Sequence, residues 1–238
     1  MIADAPIGSY SRMIEALVRS RCSMEHGIPM TRKLLFSNAS PFARRVRIVL
    51  AEKQLPFEED KVNAVRPIED IRAHNPALQV PVLYDGKYQL FDSSLILQYL
   101  MATYPTLPRP DGEPELSPSM TRPDNHWEDS LTLRAIEVAS DAIVSIRMME
   151  GATKDGVPYM ARQEARIVSC LDWLEPRCSQ EGFWPGTFSI MDINLMCPLR
   201  YGEVRNVFDF RQSRWPNITA MYDYWQSRNT VAATALSR

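Results

Sequence analysis

A segment rich in proline divides the 238-residue chain into two parts with different sequence patterns. Proline fixes φ and lacks an N–H group, so prolines at high density exclude a regular helix or strand. We therefore predict a domain over residues 30–105, a linker over 106–124 and a second domain over 125–238. Six prolines fall in or beside the linker, among many polar residues: Pro105, Pro108, Pro110, Pro114, Pro118 and Pro123.

The first part opens with a strand, a turn and a helix. The apolar run at 33–36 predicts a buried strand, and the polar residues 37–39 predict a turn. Ser40 is a preferred N-cap residue, and Pro41 suits the first helical position, where its missing N–H costs nothing.

The predicted helix is unusual in its first turns, which carry Arg44 and Arg45 and no acidic residue. A helix N-terminus normally favours Asp or Glu, because its free N–H groups and the macrodipole make that end positive. We expect these arginines to lie mostly in solvent and the terminus to attract an anion from outside the chain. The simpler alternative is a capped helix with a solvated basic face.

The remaining elements of the first part complete the order β-α-β-α-β-β-α. A strand-helix-strand unit in one sheet is expected to be parallel, with a right-handed crossover. Asp85-Gly86 between two apolar runs predicts a β-hairpin. The predicted strands lie at 55–62, 80–84 and 87–91, and the predicted helices lie at 67–73 and after Asp92-Ser93.

The second part has helical periodicity throughout. From Asn125 onward, apolar residues recur at spacings of three and four, with a break at 151–156. The residues Ser189 to Asp192 have the form of a capping box, and the helix beyond them is apolar nearly all round, so we expect it to be buried. Further helices are predicted at about 159–177 and after Pro216. The fold class predicted is α/β followed by all-α.

Composition restricts the functions that are open to the chain. The hydrophobic fraction of 45% and the charged fraction of 24% are ordinary for a soluble protein, and a net charge of −2 does not favour nucleic-acid binding. No apolar run approaches the length of a membrane span. The four cysteines lack metal-site spacing and the three histidines are scattered, so we expect no metal site and no catalytic histidine. Reduced thiols suit a cytoplasmic location.

The first 29 residues do not resemble part of a core. They are rich in Ser and Arg, and we expect a flexible tail or a true start at Met24 or Met30. A transit peptide is the alternative, but Asp4, Glu15 and Glu25 count against it.

Three features are expected at one end of the predicted sheet. Ser40 begins one helix, and Asp92-Ser93 begin another, where N–H groups suit a carboxylate and Asp92 suits an ammonium group. Pro81 interrupts a strand that should be central, which a cis Val80–Pro81 bond would explain. Exposed backbone there suits an extended peptide. Together the features suit a small ligand with a zwitterionic end, a peptide middle and an acidic or thiol group, although two capped helices and a strand-end proline are the simpler interpretation.

These motifs resemble those of the cytosolic glutathione transferases, in the serine-type branch of plant tau-class and many bacterial members. The resemblance covers residues 33–238 and implies a thioredoxin-like domain followed by an all-helical domain, usually in a homodimer, with glutathione as co-substrate and no metal. Its motifs are Ser-Pro-Phe-Ala-Arg-Arg-Val-Arg from Ser40, Asn-Pro-Ala-Leu-Gln-Val-Pro-Val-Leu from Asn75, Phe-Asp-Ser-Ser from Phe91 and Ser-Ile-Met-Asp from Ser189.

The resemblance also implies a role for individual residues. Ser40 would donate its hydroxyl to the glutathione sulfur, the backbone of Val80 would pair with the cysteinyl unit, and Asp92 and Ser93 would bind the γ-glutamyl end. Gln79 departs from the lysine of many relatives, so its contact with the glycine carboxylate would be uncharged. The implied glutathione-binding residues are Ser40, Phe42, Gln79, Val80, Pro81, Asp92 and Ser93.

The function implied is conjugation of glutathione to an electrophilic, mostly apolar second substrate, a detoxifying activity. One alternative is a binding or regulatory protein of the same fold without turnover, as in the stringent starvation proteins. Another is a glutathione-dependent isomerase like the maleylacetoacetate isomerases, whose Ser-Ser-Cys-Ser-type turn is not matched by residues 37–40. Nucleic acid and membrane are not expected as partners.

Overall fold

The structure is a computed structural model that describes residues 32–62, 68–109, 112–149 and 157–236. The predicted tail at 1–29 and the predicted helix break at 151–156 lie outside these ranges. The strands are β1 (Lys33–Phe36), β2 (Glu58–Lys61), β3 (Val82–Asp85) and β4 (Tyr88–Phe91). The helices are α1 (Pro41–Glu52), α2 (Ile68–Arg72), α3 (Ser93–Thr103), α4 (His126–Met149), α5 (Val157–Leu174), α6 (Ile190–Val204), α7 (Pro216–Trp225) and α8 (Asn229–Ala232).

The four strands form one mixed sheet in the order β2-β1-β3-β4. β1 pairs in parallel with β2 and antiparallel with β3, and β3 pairs antiparallel with β4. The predicted order β-α-β-α-β-β-α and the hairpin are therefore confirmed, as is the helical part that follows. The buried run Leu34 to Phe36 occupies a central strand, whereas the charged residues of β2 occupy an edge, where charge discourages further pairing.

The two faces of the sheet are covered differently. Leu34 and Phe36 belong to the main core, whose buried residues continue through α1 and α3 into the helical part. Leu35 lies on the opposite face, in a small cluster with Val62 and Val82. One hydrophobic core therefore joins the sheet to the helices that follow it.

Helix α6 lies in the middle of the molecule, where it contacts α1 and α4. It is buried nearly all round, as its composition predicts, and its capping box is confirmed. The carboxylate of Asp192 accepts hydrogen bonds from the backbone N–H of Ser189 at 2.8 Å and of Phe183 at 3.0 Å. Gly182 has a φ of +110°, and a Cβ there would lie 2.4 Å from Asp192 Oδ1, so only glycine fits at position 182.

The predicted helix after Asn125 is confirmed by α4, but its apolar stripe is not buried along its whole length. Ile136 and Ile143 are fully buried, whereas Trp127 is 78% exposed and Leu131 is 54% exposed. The first two turns of α4 therefore present apolar side chains to solvent in the single chain. Across the described ranges, no helix combines the length and the apolar character that crossing a membrane would need.

Candidate functional site

The register of the sheet brings three segments of the chain to the same edge of the sheet, namely the one at which β1 and β4 end and β3 begins. Leu35 lies opposite Val82 in the pairing of β1 with β3, and Val82 lies opposite Phe91 in the pairing of β3 with β4. The chain therefore leaves β1 towards Ser40, enters β3 from Pro81, and leaves β4 towards Asp92, all at one edge. The convergence predicted for these three features is confirmed.

Ser40 caps helix α1 at this edge. Its backbone is extended, with φ −83° and ψ 120°, and its Oγ accepts a hydrogen bond from the N–H of Ala43 at 3.2 Å. The side chain is half-buried. An oxygen that accepts from the helix still has its own hydrogen to donate, so Ser40 can serve as cap and as donor to a ligand together.

The second segment is the loop that leads into β3. The Val80–Pro81 peptide bond is cis, as predicted. Pro81 is buried, Val80 is half-buried and Gln79 is exposed, so backbone and an amide side chain are open to a ligand here. Inside the loop lies Asn75, a buried residue that was not among the predicted site residues.

The third segment is the start of α3. Asp92 is the N-cap, with a positive φ of 67°, and its Oδ1 accepts from the N–H of Leu95 at 2.9 Å. Asp92 is exposed, whereas Ser93 is only 5% exposed. One carboxylate oxygen thus holds the helix, and the exposed group keeps acceptor capacity for a cation in solvent.

Arg45 does not lie in solvent, contrary to the sequence-based expectation. It is 4% exposed, and its Nε and Nη2 both donate to Ser93 Oγ, at 3.0 and 2.5 Å. Nη2 also donates to Ser94 Oγ at 3.0 Å, and Nη1 lies 3.8 Å from the carboxylate of Glu137 on α4. Burial lowers the pKa of Arg45, while the charge of Glu137 opposes this. The guanidinium of Arg45 therefore holds the side chain of Ser93 by hydrogen bonds. It does not lie in solvent, where it could attract an anion from outside the chain.

Arg44 is also buried, at 3% exposed, and donates to the carbonyl of Val231 in α8. The expectation of a solvated basic face is therefore wrong, because α1 packs between the sheet and the helical part and buries nearly its whole surface. Phe42 is half-buried and lies 5.3 Å from the guanidinium of Arg45.

Ser40, Val80-Pro81 and Asp92-Ser93 were predicted as site residues, whereas the residues that hold them, Arg45 among them, were not. A usable signal was present, since Arg45 shares a helix face with Pro41 and Val49, which are also buried. In the described part of the chain, no cluster of three or more His, Cys, Asp or Glu side chains has the arrangement of a metal site.

What the edge of the sheet offers chemically is a hydroxyl at a helix N-terminus, open backbone before β3, and a carboxylate beside a second helix N-terminus. A helix N-terminus favours an anion, and a hydroxyl donor adds to that preference. An extended ligand of a few residues with an anionic or thiolate centre fits this set of groups.

Comparison with known proteins agrees with the geometry. Residues 34–114 match the family model described as glutathione S-transferase, N-terminal domain. Among solved structures, a glutathione S-transferase of Methylobacterium radiotolerans in complex with glutathione sulfonate is similar, with a TM-score of 0.71 and 26% identity, over 87% of this chain and 96% of that one.

Two curated relatives extend the comparison. The GST-like protein YibF of Escherichia coli is 27% identical over 209 residues, which cover 85% of this chain and 97% of that protein. A stringent starvation protein A homolog of Haemophilus ducreyi is 39% identical over 75 residues, which are 31% of this chain and only 35% of that protein. Residues 34–114 are therefore similar to the N-terminal domain of glutathione S-transferases, and the likeness to a glutathione S-transferase of known structure extends over most of the chain.

Proposed function

We propose that the chain is a serine-type glutathione transferase, which binds glutathione, stabilises its thiolate and transfers it to an electrophilic, mostly apolar molecule. The observation that carries the proposal is the convergence of Ser40, Val80 and Asp92 at one edge of the sheet. The similar Methylobacterium radiotolerans enzyme, crystallised with glutathione sulfonate, supports glutathione as the ligand.

Ser40 is proposed as the catalytic residue. A free thiol has a pKa of about 8.5 and is mostly protonated at neutral pH. The hydroxyl of Ser40 donates a hydrogen bond to the sulfur, and the N-terminus of α1 adds positive potential, so both groups favour the thiolate. Each unit by which the thiol pKa falls needs about 1.4 kcal/mol of differential stabilisation.

The rest of the tripeptide is held by the other two segments. The backbone of Val80 pairs with the cysteinyl unit, and the γ-glutamyl end lies at the start of α3, with its ammonium group on Asp92 and its carboxylate on Ser93. Gln79 donates to the glycine carboxylate without charge. Phe42 and Pro81 give the site its apolar walls.

The thiolate then attacks the electrophilic carbon of the second substrate. A carbon–sulfur bond forms, and the electron pair of the broken bond leaves with the departing group, or remains on an acceptor that takes a proton from water. The second substrate binds between the sheet edge and the helical part, where apolar side chains of the helices exclude water.

A binding or regulatory role without turnover is the second candidate. The match to a stringent starvation protein A homolog favours it, with 39% identity over 75 residues. The presence of Ser40 favours an enzyme instead. A glutathione-dependent isomerase is a third candidate, which the absence of cysteine from residues 37–40 disfavours.

We also propose a homodimer in the cytoplasm. Trp127 and Leu131 on α4 and Leu95 on α3 are apolar side chains that the single chain leaves exposed. α3 and α4 are joined at this point by the hydrogen bond from Ser94 to Glu137. Exposed apolar side chains on two neighbouring helices favour burial against a second copy. The free thiols of Cys170, Cys178 and Cys197 suit a reducing compartment.

The experiment that tests the proposal is a glutathione-dependent activity screen across aryl halides, isothiocyanates, peroxides and maleylacetoacetate analogues, together with calorimetry of glutathione binding. Binding with turnover of an alkylating electrophile supports the transferase. Binding without turnover of any substrate favours the binding protein, and turnover of the maleylacetoacetate analogue alone favours the isomerase. Absence of glutathione binding contradicts all three.

A further inference from the structure

The loop before β3 is built around one buried asparagine. Asn75 is 2% exposed, whereas residues 76–79 after it are exposed. Its Nδ2 donates to the carbonyl of Gln79 at 2.8 Å, and its Oδ1 accepts from the N–H of Ala77 at 2.8 Å. Both ends of the side-chain amide are therefore used, and each is bonded to the backbone of the same loop.

This contact fixes the orientation of one peptide group. The peptide that joins Gln79 to Val80 is trans and planar, so its C=O and N–H point in opposite directions. Because the C=O accepts from Asn75 and the peptide is trans, the N–H of Val80 points away from the Asn75 side chain. In the described part of the chain, no backbone group accepts a hydrogen bond from this N–H.

We infer that Asn75 is a positioning residue for the cysteinyl-glycine half of glutathione. It orients the Gln79–Val80 peptide so that the N–H of Val80 is presented to an extended ligand, and it does so without touching that ligand. The inference rests on the proposed function, since it assigns a support to the backbone that the proposed site uses.

The side chain at this position has to donate at one atom and accept at the other. An aspartate would keep the contact with Ala77 but place a carboxylate oxygen against the carbonyl oxygen of Gln79, where two acceptors repel each other. An alanine would lose both contacts. The turn also depends on the backbone of Asn75, whose carbonyl accepts from the N–H of Leu78 at 3.0 Å while Leu78 holds a positive φ of 59°.

The test measures binding of S-methylglutathione, whose blocked thiol cannot ionise, so that stabilisation of a thiolate by Ser40 does not enter the measured affinity. Calorimetry compares the wild type with Asn75→Ala and Asn75→Asp, and with Asn194→Ala as matched control, because Asn194 is an equally buried asparagine on α6. We expect both Asn75 variants to bind about tenfold more weakly, as for the loss of one or two hydrogen bonds. The control should stay within about twofold of the wild type.

Kinetics with glutathione separate positioning from catalysis. KM for glutathione should rise in both Asn75 variants, while kcat at saturation and the pKa of bound glutathione stay at their wild-type values. Lowering the pH should restore binding in Asn75→Asp relative to wild type and not in Asn75→Ala, because a protonated carboxyl donates to the carbonyl of Gln79 again. Unchanged binding and KM in both folded variants would overturn the inference.

Hydrogen exchange on the wild type tests the same claim if a variant fails to fold. The amide of Val80 should exchange freely without ligand and become protected when S-methylglutathione binds, while the amide of Ala77 stays protected in both states. A Val80 amide that the ligand does not protect would contradict the inference. Failure of the proposed function can be distinguished from failure of this inference, because the wild type itself would then bind neither glutathione nor S-methylglutathione.

Discussion

Arg45 shows how a single buried cation organises the proposed ligand-binding end of α3. It donates twice to Ser93 Oγ, so the lone pairs of that oxygen are directed at the guanidinium and its hydrogen is left to point elsewhere. A hydroxyl that accepts from a cation is a better donor to an anion. Ser93 is therefore polarised towards the proposed carboxylate of the γ-glutamyl end.

The substitution Arg45→Lys tests whether Arg45 orients Ser93 in this way. Lysine keeps the positive charge but cannot reproduce the planar fork, so we expect KM for glutathione to rise about tenfold. Steady-state kinetics at varied glutathione concentration give the measurement. Arg47→Lys is the control, since Arg47 is on the same helix but stacks on Phe36 at 4.9 Å. Equal KM values for the two variants would show that the fork is not needed.

The residues that could be predicted from the sequence are those whose chemistry is local. Ser40 and Asp92 could be predicted as helix caps, because a capping hydrogen bond involves only the next three residues. Arg45 was missed because its partner Ser93 lies in another segment of the chain, 48 residues away. For Asn75 the partners are close in sequence, but nothing in the motif says which way its side chain turns.

The element that most depends on a single polar residue is α6. Asp192 is fully buried, and burial raises its pKa to about 7, against the opposing effect of hydrogen bonds from Ser189 and Phe183. The helix itself could be predicted from its apolar composition, and its box from the S-x-x-D spacing. The contact with Phe183 could not, because it comes from the preceding loop.

The pKa of Asp192 predicts a pH dependence of stability. The carboxyl has a pKa of about 7 in the fold, raised from its ordinary value of 3.8, so between these values the folded chain binds more protons than the unfolded chain. The stabilisation is therefore complete below about pH 4 and is lost as pH rises through about 7. Urea unfolding from pH 5 to 8 should show a decline in the free energy of unfolding that Asp192→Asn removes. A decline of equal size in the variant would assign it to other groups.

A buried ion pair joins the end of α1 to the C-terminal part of the chain. Glu52 accepts from Nε and Nη2 of Arg228, both at 2.7 Å, and the two side chains are 1% and 2% exposed. Arg109 adds a third contact at 3.4 Å. This pair could not be predicted from the sequence, because 176 residues separate its members.

Breaking this ion pair should cost stability. Glu52→Gln leaves the charge of Arg228 buried with a weaker partner, so we expect a loss of about 3 to 5 kcal/mol in the free energy of unfolding. Glu59→Gln is the control, because Glu59 forms an exposed pair with Lys61 and should cost less than about 1 kcal/mol. Equal losses in urea unfolding would contradict the assigned role.

The exposed apolar side chains of α3 and α4 predict the oligomeric state. Leu131→Glu should convert a dimer to a monomer in light scattering, because it places a charge among side chains that the proposed interface buries. Tyr224→Glu, at an apolar side chain on α7 that is 47% exposed, should leave the dimer intact. A wild type that is monomeric at high concentration would end the proposal.

We propose that Ser40 stabilises the thiolate of bound glutathione, and a titration of the bound thiol tests this role. The ultraviolet absorbance of the thiolate, followed against pH at saturating glutathione, gives the pKa of the bound thiol in the wild type and in Ser40→Ala. We expect a pKa clearly below about 8.5 in the wild type and a return towards that value in the variant, with turnover at neutral pH reduced about tenfold to a thousandfold. Superimposable titrations with a lowered pKa in both proteins would contradict the proposed role of Ser40 in stabilising the thiolate and leave Ser40 as a helix cap alone.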